Sequence, residues 1–248
     1  MTLRKTYEKQ GAFLFRWRSY LPLLIGPLLL IVLFDSSYTH RLFGERFDNV
    51  WEGFCIFVSL VGFIVRCLVA GYVPGGTSGR NTQTQVASVL NMTGMYSIVR
   101  NPLYLGNYLL ILGLLLFTQV WWFVLVGTAI FWIYYERIIF AEEEFLSKKF
   151  GDTYAAWTAK TPVFIPKIQN WKKPILPYSW KTLLRREHSS LFAVMSAFTA
   201  LGVLADLFIE RSKKIDLFWW IFFGSGLVIY LTLRFLKKKT HLLDQEGR

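Results

Sequence analysis

Charged residues are distributed so that long apolar intervals remain between them. Residues 19–34 carry no charge, 53–79 are interrupted only by Arg66, and 101–135, 188–205 and 217–233 are again uncharged. A charge at the centre of a membrane helix costs about 2.5–3.5 kcal/mol on insertion scales, so such intervals locate candidate spans. A full crossing takes roughly 20 apolar residues, with about 17 as the lower limit. The pattern predicts spans at about 20–34, 52–73, 102–117, 119–138, 190–208 and 217–236. The longest interval exceeds one crossing and reads as a tight helical hairpin turning at Phe117-Thr118-Gln119. The expected fold class is therefore all-α: a polytopic integral membrane protein of about six transmembrane helices around a helical hairpin core.

Composition agrees with that pattern and adds a charge problem. The 248 residues are 54% hydrophobic and 18% aromatic, yet Lys and Arg outnumber Asp and Glu by 28 to 16. A disordered chain is poor in aromatics, and two cysteines cannot make a disulfide scaffold. Six spans place both termini on one side. Sorting the basic residues by side puts 22 of the 28 with the termini and with the segments 74–101 and 136–189. The positive-inside rule then makes that side cytoplasmic. The net charge thereby reflects topology and lipid contact, and no groove-reading motif supports a nucleic-acid partner. No small-residue cleavage site follows the first apolar run, so a cleavable signal peptide is not expected. Cys55 and Cys67, on one predicted helix, read as packing thiols, and no metal-ligand spacing is present.

Three polar features break the apolar pattern on the basic side. Residues 73–85 are rich in Gly and hydrogen-bond donors; backbone N–H groups at Gly75, Gly76 and Gly79, with Arg80, suit an anionic ligand as well as they suit a solvated loop. The stretch around Arg100-Asn101-Pro102 opens the third span, with Pro102 in the first helical turn and Asn101 as the expected N-cap. Beyond the hairpin, the helix is expected to continue through Glu142-Glu143-Glu144 to a stop at Gly151. Glu136, Phe140 and Glu143 share one helical face. Glu144 reads as an exposed pair with Lys148, whereas Glu142 has Leu146 at i+4 and no such explanation.

Two blocks carry a resemblance. Gly94-x-Tyr96-x-x-x-Arg100-Asn101-Pro102-Leu103-Tyr104-x-Gly106 resembles the Arg-His-Pro-x-Tyr motif of integral membrane methyltransferases. Glu142-Glu143-x-x-Leu146-x-x-x-Phe150-Gly151-x-x-Tyr154-x-x-Trp157, followed by Thr161-Pro162-Val163-Phe164-Ile165-Pro166, resembles the second block of that family. The resemblance spans about 72–167. It implies S-adenosyl-L-methionine as cofactor at a cytoplasmic site. Arg100 and Asn101 would take its carboxylate, Glu142 or Glu143 its ammonium, and the faces of Tyr96, Tyr104 or Tyr135 its sulfonium, the last by cation–π attraction. Arg100, Glu142 and Glu143 would carry catalysis, with Tyr96, Asn101, Pro102 and Tyr104 completing the cofactor site. Asn101 stands where the commonest pattern has His, which removes proton transfer at that position.

The acceptor is read from the more individual segment 73–93, which is similar to a bacterial branch that methylates the phosphate of lipid A. On that resemblance Arg16, Arg18, Arg80 and Asn81 would hold an anionic headgroup at the inner membrane. Isoprenylcysteine carboxyl methylation and phospholipid N-methylation are the alternatives. A sterol-type reductase relative and a non-enzymatic membrane scaffold are more distant ones. His40, His188 and His241 lie outside both blocks and read as exposed interfacial residues. The chain divides into a core at 1–167, a basic aromatic linker at 168–189, and a further hairpin with its basic tail at 190–248. Asp206 and Glu210 are expected to pair with Arg211, Lys213 and Lys214 at the outer end of that hairpin.

Overall fold

A computed structural model of the chain describes residues 2–17, 32, 45–75, 87–208 and 215–245. These residues form seven α-helices and one short 3-10 turn, with no strand among them. The helices are α1 (Leu3–Trp17), α2 (Glu45–Tyr72), α3 (Met95–Ile98), α4 (Pro102–Phe117), α5 (Trp121–Thr158), α6 (Trp180–Phe208) and α7 (Leu217–Lys239). Four are long and apolar enough to cross a bilayer, and α4 is a shorter apolar helix beside them. The first expected span, 20–34, lies outside the described residues except for Val32, which packs with Leu115, Val120 and Phe123.

The hairpin turns where the pattern placed it. Pro102 starts α4 at a position that needs no amide donor. Thr118 Oγ1 then donates to the carbonyl of Leu115 at 2.7 Å, and Gln119 takes a left-handed φ of 56°. That strain is held by Gln119 Nε2 donating to Asp48 Oδ1 at 2.9 Å. Helix α5 has 38 residues. Its unbroken part, 121–150, is about 45 Å long, half as long again as the bilayer core, so its apolar first half crosses and the part beyond Ile138 projects outward. Gly151 breaks it with φ 50° and ψ −125°, a conformation open to glycine, and a short helix then runs to Thr158. The expected stop is therefore a change of direction.

Between α2 and α4 the backbones approach closely. A Cβ at Gly62 would lie 2.6 Å from the Gly106 carbonyl oxygen, and Ser59 Oγ donates to the Leu110 carbonyl at 2.9 Å. Small residues at such a seam replace the hydrophobic drive that lipid cannot supply between helices. Helix α6 packs on both α2 and α7. Phe117, Phe198 and Trp219 meet edge to face at the end of the bundle away from Tyr72, in a core completed by Cys55 and Leu201. Phe57, Leu125, Ile133, Ile221 and Val228 remain exposed on the outside, as a lipid-facing surface requires.

Two expectations need correction, and one helix lies outside the expected spans. The periodicity of spans did not single out α1, a basic helix that lies along α5. There Gly11 abuts the Arg137 carbonyl, and Tyr134 donates to the Leu14 carbonyl at 3.2 Å. Helix α6 begins at Trp180, ten residues before the predicted span, because its first turns are polar yet packed. His188 is buried in that region rather than exposed: Nδ1 meets the Leu184 carbonyl at 3.0 Å and the ring stacks on Tyr230. Asp206 is buried and its carboxylate accepts from the backbone N–H of Asp216 at 2.9 Å, tying the end of α6 to the start of α7; its expected basic partners lie outside the described residues. Glu210, Arg211, Lys213 and Lys214, with His40, lie outside the described residues.

Candidate functional site

The segment before α4 and the segment after α5 are stitched together by backbone groups. Arg100 N–H donates to the Pro162 carbonyl at 2.9 Å and Lys167 N–H to the Ile98 carbonyl at 2.9 Å. The Trp157 indole donates to the Tyr96 carbonyl at 3.2 Å. Gly94 N–H donates to the Lys172 carbonyl, and the Lys172 N–H to Ser97 Oγ, both at 2.9 Å. These bonds satisfy backbone groups of irregular chain that would otherwise be costly at a membrane surface. They bring the two sequence blocks onto one end of the hairpin. The break at Gly151 is what lets Trp157 return to Tyr96.

Within this frame two acid–donor pairs stand side by side on consecutive residues of α5. Arg100 Nη1 lies 2.8 Å from Glu143 Oε1, with both side chains largely removed from solvent. The contact is ionic rather than a directed hydrogen bond. Glu143 Oε1 and Arg100 Nε, both buried, have no hydrogen-bond partner among the described residues. Burial raises the Glu143 carboxyl above its ordinary value, and Arg100 opposes that rise. Tyr154 sits against the same pair. Burial raises its phenol, Glu143 adds to the rise, and Arg100 opposes it. One residue earlier, Tyr104 donates its hydroxyl to Glu142 Oε1 at 2.8 Å. The Tyr104 ring lies 4.7 Å from that of Tyr135, which stacks on Phe131 at 4.2 Å.

The remaining predicted residues fall differently. Asn101 occupies the N-cap position of α4, but its side chain makes no cap bond. Its amide donates instead to the Val163 carbonyl at 3.1 Å, so it ties the second block to the helix start. Pro102 is fully buried at the first turn. Tyr96 is half-buried and uses its carbonyl on Trp157. Glu144 pairs with Arg4 of α1 at 2.6 Å, and Lys148 lies farther off at 3.9 Å, so the i,i+4 pair is secondary. Glu136 is exposed and pairs with Arg137. Arg16 is exposed in the last turn of α1, and no hydrogen bond or ion pair among the described residues joins it to Arg100, Glu142 or Glu143. Arg18, Arg80 and Asn81 lie outside the described residues.

The site also holds groups that sequence reasoning left without a role. Asn107 donates to the Tyr135 hydroxyl at 3.1 Å and accepts from Arg66, and Arg66 is paired with Glu187. The signal was present: Arg66 is the single charge between residues 53 and 79. Chemically, the arrangement offers a largely buried carboxylate held by an ion pair, a guanidinium whose buried Nε–H has no hydrogen-bond partner among the described residues, a second carboxylate oriented by a phenol, and aromatic faces. Such a set fits a ligand that carries both charge signs together with a diffuse cation. S-adenosylmethionine has a carboxylate, an ammonium and a sulfonium, so the residues present fit it.

The family model for phospholipid methyltransferases matches residues 76–153. A cobalt-zinc-cadmium resistance protein of Cupriavidus metallidurans is 30% identical over 150 residues, covering 60% of this chain and 66% of that protein. Protein-S-isoprenylcysteine O-methyltransferase of Schizosaccharomyces pombe is 27% identical over 161 residues, covering 60% of this chain and 67% of that enzyme. A nickel-cobalt-cadmium resistance protein of Alcaligenes xylosoxydans xylosoxydans is 25% identical over 158 residues, covering 63% of this chain and 68% of that protein. The chain thus spans about two thirds of the length of the relatives it matches. No solved structure matches it.

Proposed function

We propose, for a chain whose core belongs to the integral membrane methyltransferase superfamily, transfer of a methyl group from S-adenosylmethionine to an anionic oxygen of a membrane lipid. The observation that carries this reading is the adjacency of the Arg100–Glu143 and Tyr104–Glu142 pairs at one end of the hairpin. S-adenosylmethionine, when bound, supplies an electrophilic methyl group on a sulfonium. Arg100 would hold the cofactor carboxylate, and Glu142 or Glu143 the ammonium. Tyr104 and Tyr135 would present aromatic faces to the sulfonium. Pro102 and Asn101 hold the start of α4 in register with the second block, which fixes where those groups point.

Methyl transfer to an anionic oxygen would be an in-line displacement at the cofactor methyl group, with the thioether as leaving group, and Arg100, Glu142, Glu143, Tyr104 and Tyr135 would hold the cofactor for it. It needs alignment and exclusion of water, and no base. The first acceptor on this reading is a phosphate of lipid A at the cytoplasmic face of a bacterial inner membrane. Arg16, Arg18, Arg80 and Asn81 would bind the headgroup. The sequence likeness of residues 73–93 to lipid A phosphate methyltransferases supports that choice. A prenylcysteine carboxylate is the second reading, favoured by the similarity to the Schizosaccharomyces pombe enzyme. Among the described residues no three His, Cys, Asp or Glu are grouped to hold a metal ion.

Mass spectrometry of total lipids from cells with and without the gene tests the proposal. A lipid A species heavier by one methylene, present only with the gene and bearing the added methyl on phosphate, is the expected result. Unchanged lipids, with methylation of a prenylated peptide by purified protein, would select the second reading. No transfer to either acceptor would overturn both.

A further inference from the structure

Arg66 lies inside the helical bundle, where an arginine needs strong compensation. It receives it from two neighbouring helices at once. Nε donates to Glu187 Oε2 at 2.9 Å, and Nη2 donates to Glu187 Oε1 at 3.1 Å and to Ser190 Oγ at 3.1 Å, both residues on α6. Nη1 donates to Asn107 Oδ1 on α4. Both side chains of the pair are mostly buried, at 16% and 7% exposure. The motif glycine makes room for this: a Cβ at Gly106 would stand 2.7 Å from Arg66 Cγ.

The bond to Asn107 has a directional consequence. With its oxygen taken by Arg66, the Asn107 amide must turn its nitrogen toward α5, where it donates to the Tyr135 hydroxyl at 3.1 Å. Tyr135 packs against the Tyr104 ring, and Tyr104 orients Glu142. A continuous path of polar and ring contacts therefore runs from Glu187 on α6 to Glu142 at the candidate site. Arg66 and Glu187 both lie outside the segment 76–153 that matches the family. A lysine at 66 would offer a point charge and no fork, so it would not hold Glu187 and Asn107 in the same geometry.

We propose that Glu187 and Arg66 are positioning residues for the methyl-transfer site: through Asn107 and Tyr135 they set the Tyr104–Glu142 pair and hence cofactor affinity. This rests on the proposed function. A purely mechanical staple between α2 and α6 is the competing role, and it predicts a different result.

The test uses the full chain purified in detergent. Dissociation constants for S-adenosylmethionine are measured by calorimetry for wild type, Glu187→Gln, Arg66→Lys, Asn107→Ala and the Glu187→Gln/Asn107→Ala double variant. Amide hydrogen exchange over residues 135–146 is followed in the same proteins without cofactor. We expect each single change to weaken binding about tenfold, and the double change to cost no more than either alone, because both cut one path. Exchange over 135–146 should quicken in each. Arg66→Lys serves if Glu187→Gln fails to fold. Wild-type affinity in the folded single variants, or full additivity in the double, would overturn the proposal in favour of a staple. If wild type binds no S-adenosylmethionine, the proposed function falls and this proposal with it; if wild type binds and exchange over 135–146 is unchanged in the variants, the positioning role alone falls.

Discussion

Gly62→Ala adds one methyl group at the tightest point of the α2–α4 seam. Its Cβ would meet the Gly106 carbonyl oxygen at 2.6 Å and both Leu109 Cβ and Leu110 N at 2.8 Å. Two of these three atoms belong to backbone, so a side chain cannot simply move aside. Restoring a contact of about 3.5 Å from 2.6 Å requires the helices to part by roughly 0.9 Å. Overpacking of this kind costs about 1–3 kcal/mol. Parting the helices also stretches the bond from Ser59 to the Leu110 carbonyl, worth about 0.5–1.5 kcal/mol. Against this stands the helix preference of Ala over Gly, about 1 kcal/mol. The net expectation is a loss of about 1–3 kcal/mol. Gly53 lies on the same helix with nothing within 4 Å of an added Cβ, so Gly53→Ala keeps only the gain. Reversible unfolding of both variants in mixed micelles, followed by tryptophan fluorescence, reads the difference. A Gly62→Ala protein as stable as Gly53→Ala would refute the close approach of α2 and α4.

Arg100→Ala and Glu143→Gln should each weaken S-adenosylmethionine binding by about 2–5 kcal/mol if each partners a buried charge, and near-wild-type calorimetric affinity in both would refute those roles. Burial raises the Glu143 carboxyl, so the folded state binds its proton more readily than the unfolded chain; stability should fall as pH rises from the ordinary carboxylate range through the folded value, and Glu143→Gln should remove that slope in denaturation curves. Reporters fused after Arg80 and after Lys172 should both report cytoplasm, and opposite sides would refute the even number of spans.

The fold of the described residues was largely legible because hydrocarbon applies one severe rule, the exclusion of charge, and there the intervals without charge map onto helices. The limits of α4 follow from Pro102 and from the turn at Thr118 and Gln119, both visible as local chemistry. Helix α1 was not legible that way, because it is basic and gains its place from contacts with α5 at Gly11, Leu14 and Arg4. The polar start of α6 was missed for a related reason: its Glu187 is tolerated only because Arg66 meets it, and a pair 121 residues apart leaves no local trace. At the site, the residue types were readable and the pairings were not. Asn101 takes the expected N-cap position but spends its amide on Val163 rather than on a cap bond, and the sequence offers no ground to pair Glu143 with Arg100 and Glu142 with Tyr104.

The Arg66–Glu187 pair also has a meaning for how the protein is made. Synthesis delivers α2 to the membrane long before α6 exists. Until residue 187 emerges, Arg66 must sit in the nascent helix with at most Asn107 of α4 for company. Near the end of a span it can reach toward headgroups and water, which makes the wait tolerable. In the folded chain the same guanidinium meets Glu187 of α6 and the Asn107 amide that donates to Tyr135. On the positioning role proposed above, a nascent chain that lacks α6 holds both sequence blocks without the Glu187 contact that would set them.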